Sequence, residues 1–473
     1  MRSRGNTRDL VDSLKGLGDV RVVENPDCTI AKRAHYAPPW ADVSIIGIAG
    51  SSGSGKSTLS QAIVRKLNLP WVVILSIDSF YKSLDEEASR RAFRNEYDFD
   101  SPEALDFDVL VERLQDLKAG KRAEIPVYSF EKHARLDRTT AIYSPHVLIL
   151  EGIFALYDPR VLELLDMKIF CEADADTCLS RRILRDVKDR GRDVEGIIKQ
   201  WFNYVKPNFE KFVDPQRKVA DIIIPRGVEN HVAMTMVTQF IQQTLLEKSR
   251  RHRAALTRLE SQARTTPFLS NKVVFLDQTP QLLGMNTLIH DIDTPNADFI
   301  FYFNRFCTLL IEKAMDNIPF ASTTITTPLN HVYAGLKPRG EVSAVVVLRG
   351  GAALEAGLKR VLPDCKTGRV LIQSNLRTGE PELHYLALPK DIASHEAVLL
   401  LDAQMSSGGS ALMAVQVLVD HGVKAERIVL ATYSAGRLGL HRLTTVFPEV
   451  TVVVGNVIQD VEERWVEKRY FRC

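Results

Sequence analysis

The sequence predicts an α/β protein in two successive domains, each built on a mainly parallel sheet. Three observations carry that expectation. Short continuous apolar runs alternate with helical stretches along most of the chain, the pattern of strands buried on both faces of a parallel sheet. The first such run, SIIGIAG, leads into SSGSGKST, a glycine-rich loop followed by a helix start. At 473 residues the chain exceeds what one hydrophobic core usually serves, so two domains are expected.

Residues 1–40 are polar, mixed in charge and end in AHYAPPW; they read as a flexible N-terminal segment. From residue 41 to 248 the strand candidates are SIIGIAG, WVVILSID, HVLILEG, MKIFCEA and ADIIIP, with helical stretches such as TLSQAIVRKL and DADTCLSRRILRDV between them. Residues 247–268, EKSRRHRAALTRLESQARTTPF, are basic and poor in large apolar side chains. They set a linker at 249–270, read as a solvated helix face. A second α/β pattern fills 271–473, with strand candidates VSAVVVL, GRVLIQS, EAVLLLD, RIVLATY and VTVVVG.

Composition narrows the function classes. Apolar residues make up 45%, charged residues 25%, and the formal net charge is +2, which gives no global electrostatic case for nucleic acid or an anionic membrane. No apolar run reaches bilayer-spanning length, and the N-terminus lacks the apolar stretch of a secretory signal. The six cysteines form no CxxC pair, so neither a zinc site nor a disulfide framework is expected. A reducing cytoplasmic or nuclear setting follows.

The loop Gly50, Ser52, Gly53, Ser54, Gly55, Lys56, Ser57, Thr58 fits GxxxxGK[ST]. Its backbone N–H groups can wrap phosphate oxygens, Lys56 can neutralise the β/γ-phosphates of ATP, and Ser57 offers a hydroxyl to Mg²⁺. Asp78 and Glu151 end apolar strands, at the sheet edge where ligands collect. There a carboxylate can hold Mg²⁺ or accept the proton of an attacking hydroxyl. In LSRRILRDVKDRGRD, Arg182 and Arg185 share a helical face and Arg190 and Arg192 flank Gly191, a set suited to closing over a transferring phosphoryl group.

Taken in order, SIDSFYK, YDFDSPEALD, IPVYSFEKHAR, LILEGIFAL, LSRRILRDVKDRGRD and ADIIIPRG resemble the uridine–cytidine kinases. The resemblance spans residues 44–248 and implies transfer of the ATP γ-phosphate to the 5′-hydroxyl of uridine or cytidine. It makes Asp78 the catalytic acid residue beside the metal and Ser57 and Glu151 the other metal-site residues. Asp100, Arg182 and Gln200 would hold the nucleoside, with Tyr81, Phe99, Tyr128, Phe130 and His133 around its base, and Arg185, Arg190 and Arg192 would form the lid. It also implies a homotetramer and feedback inhibition by pyrimidine triphosphates.

In the second domain TTPLNHVYAG, VVLRGG, VLIQSNLRTGEPELHYLALPKDI and VLLLDAQMSSGGSA resemble the uracil phosphoribosyltransferases. The resemblance places a phosphoribosyl site at Arg349, Asp402, Ser407, Gly408, Gly409 and Ser410. The uracil-recognising segment departs from that family: where it carries flexible glycines, this chain reads IQDVEERWVEKRYFRC. Bulky and charged side chains there remove the close backbone approach that glycine permits. The expectation is therefore a nucleoside kinase with a degenerate, regulatory or oligomerising appendage. A bifunctional kinase–transferase, a silent regulatory protein and a P-loop hydrolase are the competing readings.

Overall fold

In the computed structural model the described residues are 36–265, 270–375, 377–458 and 463–472. Residues 1–35, Cys28 among them, fall outside that set, so the expectation of a flexible lead-in is tested only at its last five residues. These are docked: Tyr36 and Trp40 are buried.

The first half contains β1 (Ser44–Gly50), β2 (Val72–Ser76), β3 (Ala123–Ser129), β4 (Ala134–Ile142), β5 (Val147–Glu151), β6 (Met167–Glu172) and β7 (Ile222–Pro225). Five of them form a parallel sheet in the order β2-β5-β1-β6-β7. All seven residues of β1 and all five of β5 are buried, as expected for central strands covered on both faces. Each buried Ile or Leu there contributes about 2 kcal/mol. β3 and β4 form a separate antiparallel hairpin, which the sequence reading did not call. Five of the nine β4 residues, ARLDRTTAI, are exposed and four of those are polar, so no hydrophobic alternation announces the strand.

The second half contains β8 (Val273–Phe275), β9 (Phe320–Thr326), β10 (Val332–Pro338), β11 (Val342–Leu348), β12 (Lys366–Ser374), β13 (Pro381–Ala387), β14 (Ala397–Leu401), β15 (Gln404–Met405), β16 (Ile428–Gly436) and β17 (Thr451–Ile458). The main sheet runs β13-β12-β11-β14-β16-β17-β8, β15 pairs with β16, and β9–β10 is an exposed hairpin. β13 is the one antiparallel strand in the main path and forms its edge. The core beneath this sheet is rich in aromatic side chains, with Phe299, Phe303, Phe306 and Tyr433 fully buried.

The expected linker is instead the second part of one 35-residue helix, His231–Thr265; residues 266–269 fall outside the described set. Its first turns pack Met234, Val237 and Ile241 into the core of the first half. Its later turns bury His252, Leu256 and Leu259. The charges counted as solvated are in part satisfied by protein: Glu260 accepts from Arg442 at 2.9 Å. His252 bridges Tyr36 (3.0 Å) and Glu380 (2.7 Å). Apolar residues at helical spacing were present, but arginines diluted them.

The halves are joined elsewhere by polar contacts. Asp420 accepts from Trp40 Nε1 at 3.1 Å, Tyr143 at 2.7 Å and Gln416 at 2.7 Å. Trp71 stacks on His146 at 5.3 Å and meets His384 at 6.1 Å. Burial, then the charges of Lys248 and His252, push the His146 pKa down to about 3. The unfolded chain binds a proton below its own value of 6.5, whereas the folded chain does not until about pH 3. The contribution of His146 is therefore complete above pH 6.5 and is lost progressively as pH falls toward 3. Denaturant unfolding at pH 7.5 and 5.5 should show wild type losing about 1.4 kcal/mol more than His146→Asn over that interval. Equal losses in the two proteins would show that His146 is protonated in the fold.

Candidate active site

The site lies at the carboxyl ends of β1, β2 and β5. β1 delivers the chain into the loop 50–55, from which helix Lys56–Leu67 departs. Two glycines there are required by sterics. A Cβ on Gly50 (φ +145°) would lie 2.3 Å from Cys171 O, and one on Gly53 (φ +86°) would lie 2.3 Å from Cys178 O. The loop is thus pinned against β6 and helix Ala175–Arg190. Lys56 is buried and donates to Ser51 O at 2.8 Å. Burial pulls its ammonium below the ordinary lysine value, against the opposing pull of Glu151. Ser57 donates to Glu151 at 3.0 Å. Ser54 is fully buried and its hydroxyl has no hydrogen-bond partner. Thr58 is exposed and lies outside the cavity lining.

Beyond β2 the chain makes a single tight turn, Ile77–Phe80, capped by Ser76. That turn sets Asp78 into the same cavity as Lys56, Ser57 and Glu151. Burial raises the Asp78 pKa, Glu151 raises it further, and Arg190, Lys56 and Arg185 oppose them. The cavity holds about 80 Å³. Five cationic side chains (Lys56, Arg182, Arg185, Arg190, Arg192) and three carboxylates (Asp78, Asp100, Glu151) line it. The surplus of positive charge suits a polyanion.

The arginines are held by a residue that the sequence reading passed over. Asp186 is fully buried and receives Arg185 Nε at 2.8 Å, Arg190 and Arg192 at 3.4 Å, and Arg182 Nε at 3.8 Å. Burial alone would raise its carboxyl; the guanidinium groups outweigh that and hold it below the ordinary value. The signal was legible: Asp186 lies four residues from both Arg182 and Arg190, the helical spacing of an ion pair. Arg182 also donates to Ser52 at 3.2 Å and approaches Asp100 at 3.6 Å. Arg192 donates to Gln200, which donates on to Asn95, both at 3.2 Å.

The far wall is aromatic. The β3–β4 hairpin carries Phe130 and His133 into the cavity. His133 stacks on Phe99 (centroids 5.1 Å, 20° between planes), and Arg190 lies 4.0 Å over the Phe130 ring. Burial, then Arg192 and Arg190, lower the His133 pKa, which favours the neutral ring. Tyr81 also lines the cavity; Tyr128 does not, but packs edge-on against Phe130 and tilted against Tyr81. Tyr97 and Tyr204 complete the wall and were not anticipated. Arg135, on β4, fixes the hairpin over the Asp78 turn by donating to Tyr81 O (2.7 Å), Phe80 O (3.0 Å) and Asp106 (3.2 Å).

A family model described as phosphoribulokinase/uridine kinase family matches residues 45–233, and one described as uracil phosphoribosyltransferase matches 276–467. A Schizosaccharomyces pombe protein named uridine kinase is 42% identical over 442 residues, 93% of this chain and 97% of that one. The chain belongs to the uridine kinase family. The Saccharomyces cerevisiae member named uridine kinase is 41% identical over 452 residues, covering 94% of this chain and 90% of its own. The mouse uridine-cytidine kinase-like 1 is 40% identical over 452 residues, with coverage of 93% and 82%. Family members thus share both halves, and no helix among the described residues is long and apolar enough to cross a membrane.

The second-half residues assigned from resemblance to a phosphoribosyl site lie in the segments following β14 and β11. Asp402 immediately follows β14 and is buried; Ser407 is exposed; Gly408 (φ +80°) caps, and Gly409 and Ser410 open, helix Gly409–Asp420. The helix Trp465–Phe471 is packed into this region. Trp465 contacts His290 and Phe299, and Val466 N donates to Gln404 at 2.9 Å. Glu467 pairs with Arg349 at 2.9 Å. A Cβ built on Gly350 would lie 3.6 Å from Asp402 and 3.8 Å from Glu467, so two carboxylates face one small patch. Residues 459–462 and Cys473, within the divergent segment, fall outside the described set.

Proposed function

We propose that this member of the family transfers the γ-phosphoryl group of ATP to the 5′-hydroxyl of uridine or cytidine, giving UMP or CMP. One observation carries the reading. The phosphate loop, a buried carboxylate with a raised pKa and an aromatic wall meet in a single cavity.

Gly50 and Gly53 leave no room for a Cβ, and Ser57 and Glu151 offer adjacent hard oxygens; both features fit Mg²⁺ and ATP. Lys56 and the loop 50–57 would hold the β/γ-phosphates, and Ser57, Asp78 and Glu151 would hold the ion. Bound Mg²⁺ supplies charge neutralisation at the phosphates. Asp78 accepts the proton of the 5′-hydroxyl. Asp100, Arg182 and Gln200 orient the ribose, while Phe99, Phe130, His133 and Tyr81 enclose the base, with Tyr128 packed behind Tyr81 and Phe130. Arg185, Arg190 and Arg192 neutralise the transferring group and exclude water.

ATP consumption by the full-length protein should rise several-fold when uridine is added, with UMP formed in equal amount. Consumption indifferent to uridine would replace this reading with that of a hydrolase. His133→Ala should raise the uridine KM about tenfold, near 1.4 kcal/mol, and leave the ATP KM within twofold. The opposite split would place His133 outside the base pocket.

We further propose that the second half keeps its fold without converting uracil and serves a regulatory or oligomerising role. The supporting observations are electrostatic and steric. Glu467 neutralises Arg349 and sets a second carboxylate beside Asp402, where a diphosphate would need positive charge. Full-length protein given uracil and phosphoribosyl pyrophosphate should form no UMP; turnover would restore the bifunctional reading.

A further inference from the structure

A larger cavity than the catalytic one lies between the halves. It measures about 460 Å³, within the range of small-molecule sites. The start of β2, the root of the β3–β4 hairpin and the β13 edge enclose it, and helix Gly409–Asp420 closes one end through His421. Three aromatic side chains (Trp71, Tyr143, Tyr385), two imidazoles (His384, His421) and the guanidinium of Arg122 supply its functional groups; no carboxylate lines it.

The nearby acids are engaged. Asp420, beneath Tyr143, accepts three hydrogen bonds. Glu382 lies 3.6 Å from His384 and accepts from Asn375. Glu124 pairs with Arg122 at 2.6 Å, both 43% exposed, a solvent-screened pair that an incoming anion can share. Aromatic faces with one cation and no lining anion select a planar anion. Among the described residues β13 has a strand partner on one side only, so its other edge offers backbone N–H and C=O groups to ligand polar atoms.

The cavity also touches the levers of the catalytic site. Arg122 immediately precedes β3 and Ala141 lies on β4, while the other end of this hairpin carries Phe130 and His133. Trp71 immediately precedes β2, which leads into the Asp78 turn. Its carbonyl accepts from His146 N at 2.8 Å and Val147 N at 3.2 Å, at the start of the strand that ends in Glu151. We infer that this inter-half cleft is a second ligand site for a planar aromatic anion of nucleotide size, and that its occupancy alters nucleoside use at the catalytic cavity. The coupling rests on the kinase reading above; the binding does not.

The test uses full-length protein and three planar anions, AMP, UMP and 8-anilinonaphthalene-1-sulfonate, with uridine as the neutral control. Equilibrium dialysis with the catalytic site filled by saturating ATP and uridine analogues should show one saturable equivalent for at least one anion. Arg122→Gln combined with His384→Ala should weaken it at least tenfold while preserving basal kcat and uridine KM. Occupancy should shift the uridine KM at least threefold in wild type and not in the double variant. Absence of saturable binding for all three anions, or binding unchanged in the double variant, overturns the site. Binding without a KM shift overturns the coupling. Variant-sensitive binding in a protein that does not phosphorylate uridine would sustain the site and sink the kinase reading instead.

Discussion

Asp78→Asn should lower kcat by about 10²–10⁴, the usual worth of a positioned general base, and leave ATP affinity within about threefold. The substitution keeps size and backbone: Asp78 N bonds Ser76 Oγ, not the carboxylate, so the turn survives. What changes is the acceptor. An amide cannot take the 5′-hydroxyl proton, and it removes one negative charge from a cavity that already carries five cations against three carboxylates. Those cations then attract phosphate at least as well as before, so ATP binding persists while transfer fails. The pH profile gives an independent check. Burial and Glu151 raise the Asp78 pKa, so in wild type kcat/KM should fall on the acid side at a pH above the ordinary aspartate value. In Asp78→Asn the residual rate should lose that limb. A variant with near-wild-type kcat would remove Asp78 from proton transfer, whatever its position.

The parts of the fold that were legible in the sequence are those whose physics is local. β1, β5 and β11 are continuous apolar runs because both faces are covered, and the phosphate loop declares itself because only glycine fits where the backbone meets Cys171 and Cys178. The hairpins were not legible. β4 and β9 are largely exposed, and their pairing depends on partners that no periodicity encodes. The base-pocket positions Phe130 and His133 came from family resemblance; their residues alone would read as an ordinary turn. The helix His231–Thr265 was divided at its change from apolar to basic composition. Composition reports average environment, whereas burial of His252, Leu256 and Leu259 depends on a second half hundreds of atoms away in the chain.

Asp186 shows the same division at the site itself. The arginines around it are conspicuous in sequence, and one carboxylate among them looks like dilution of a basic face. In the fold it is the group on which Arg182, Arg185, Arg190 and Arg192 converge. Without it four guanidinium groups repel one another in a partly desolvated wall. Asp186→Asn should therefore destabilise the protein by about 2–3 kcal/mol, somewhat below the ~3–5 kcal/mol of a fully buried broken pair because the arginines retain some solvent. It should also lower kcat/KM about 100-fold, because Arg182 would lose its hold beside Ser52 and Asp100 and Arg192 its hold beside Gln200. The two effects have one cause, and a second substitution separates them from mere loss of packing. Arg185→Gln in the Asp186→Asn background removes one of the repelling charges, so stability should partly recover, by about 1 kcal/mol, although each single change is destabilising. Strictly additive losses in that cycle would mean that Asp186 fills space and does not organise the arginines, and the proposed lid would then need another anchor.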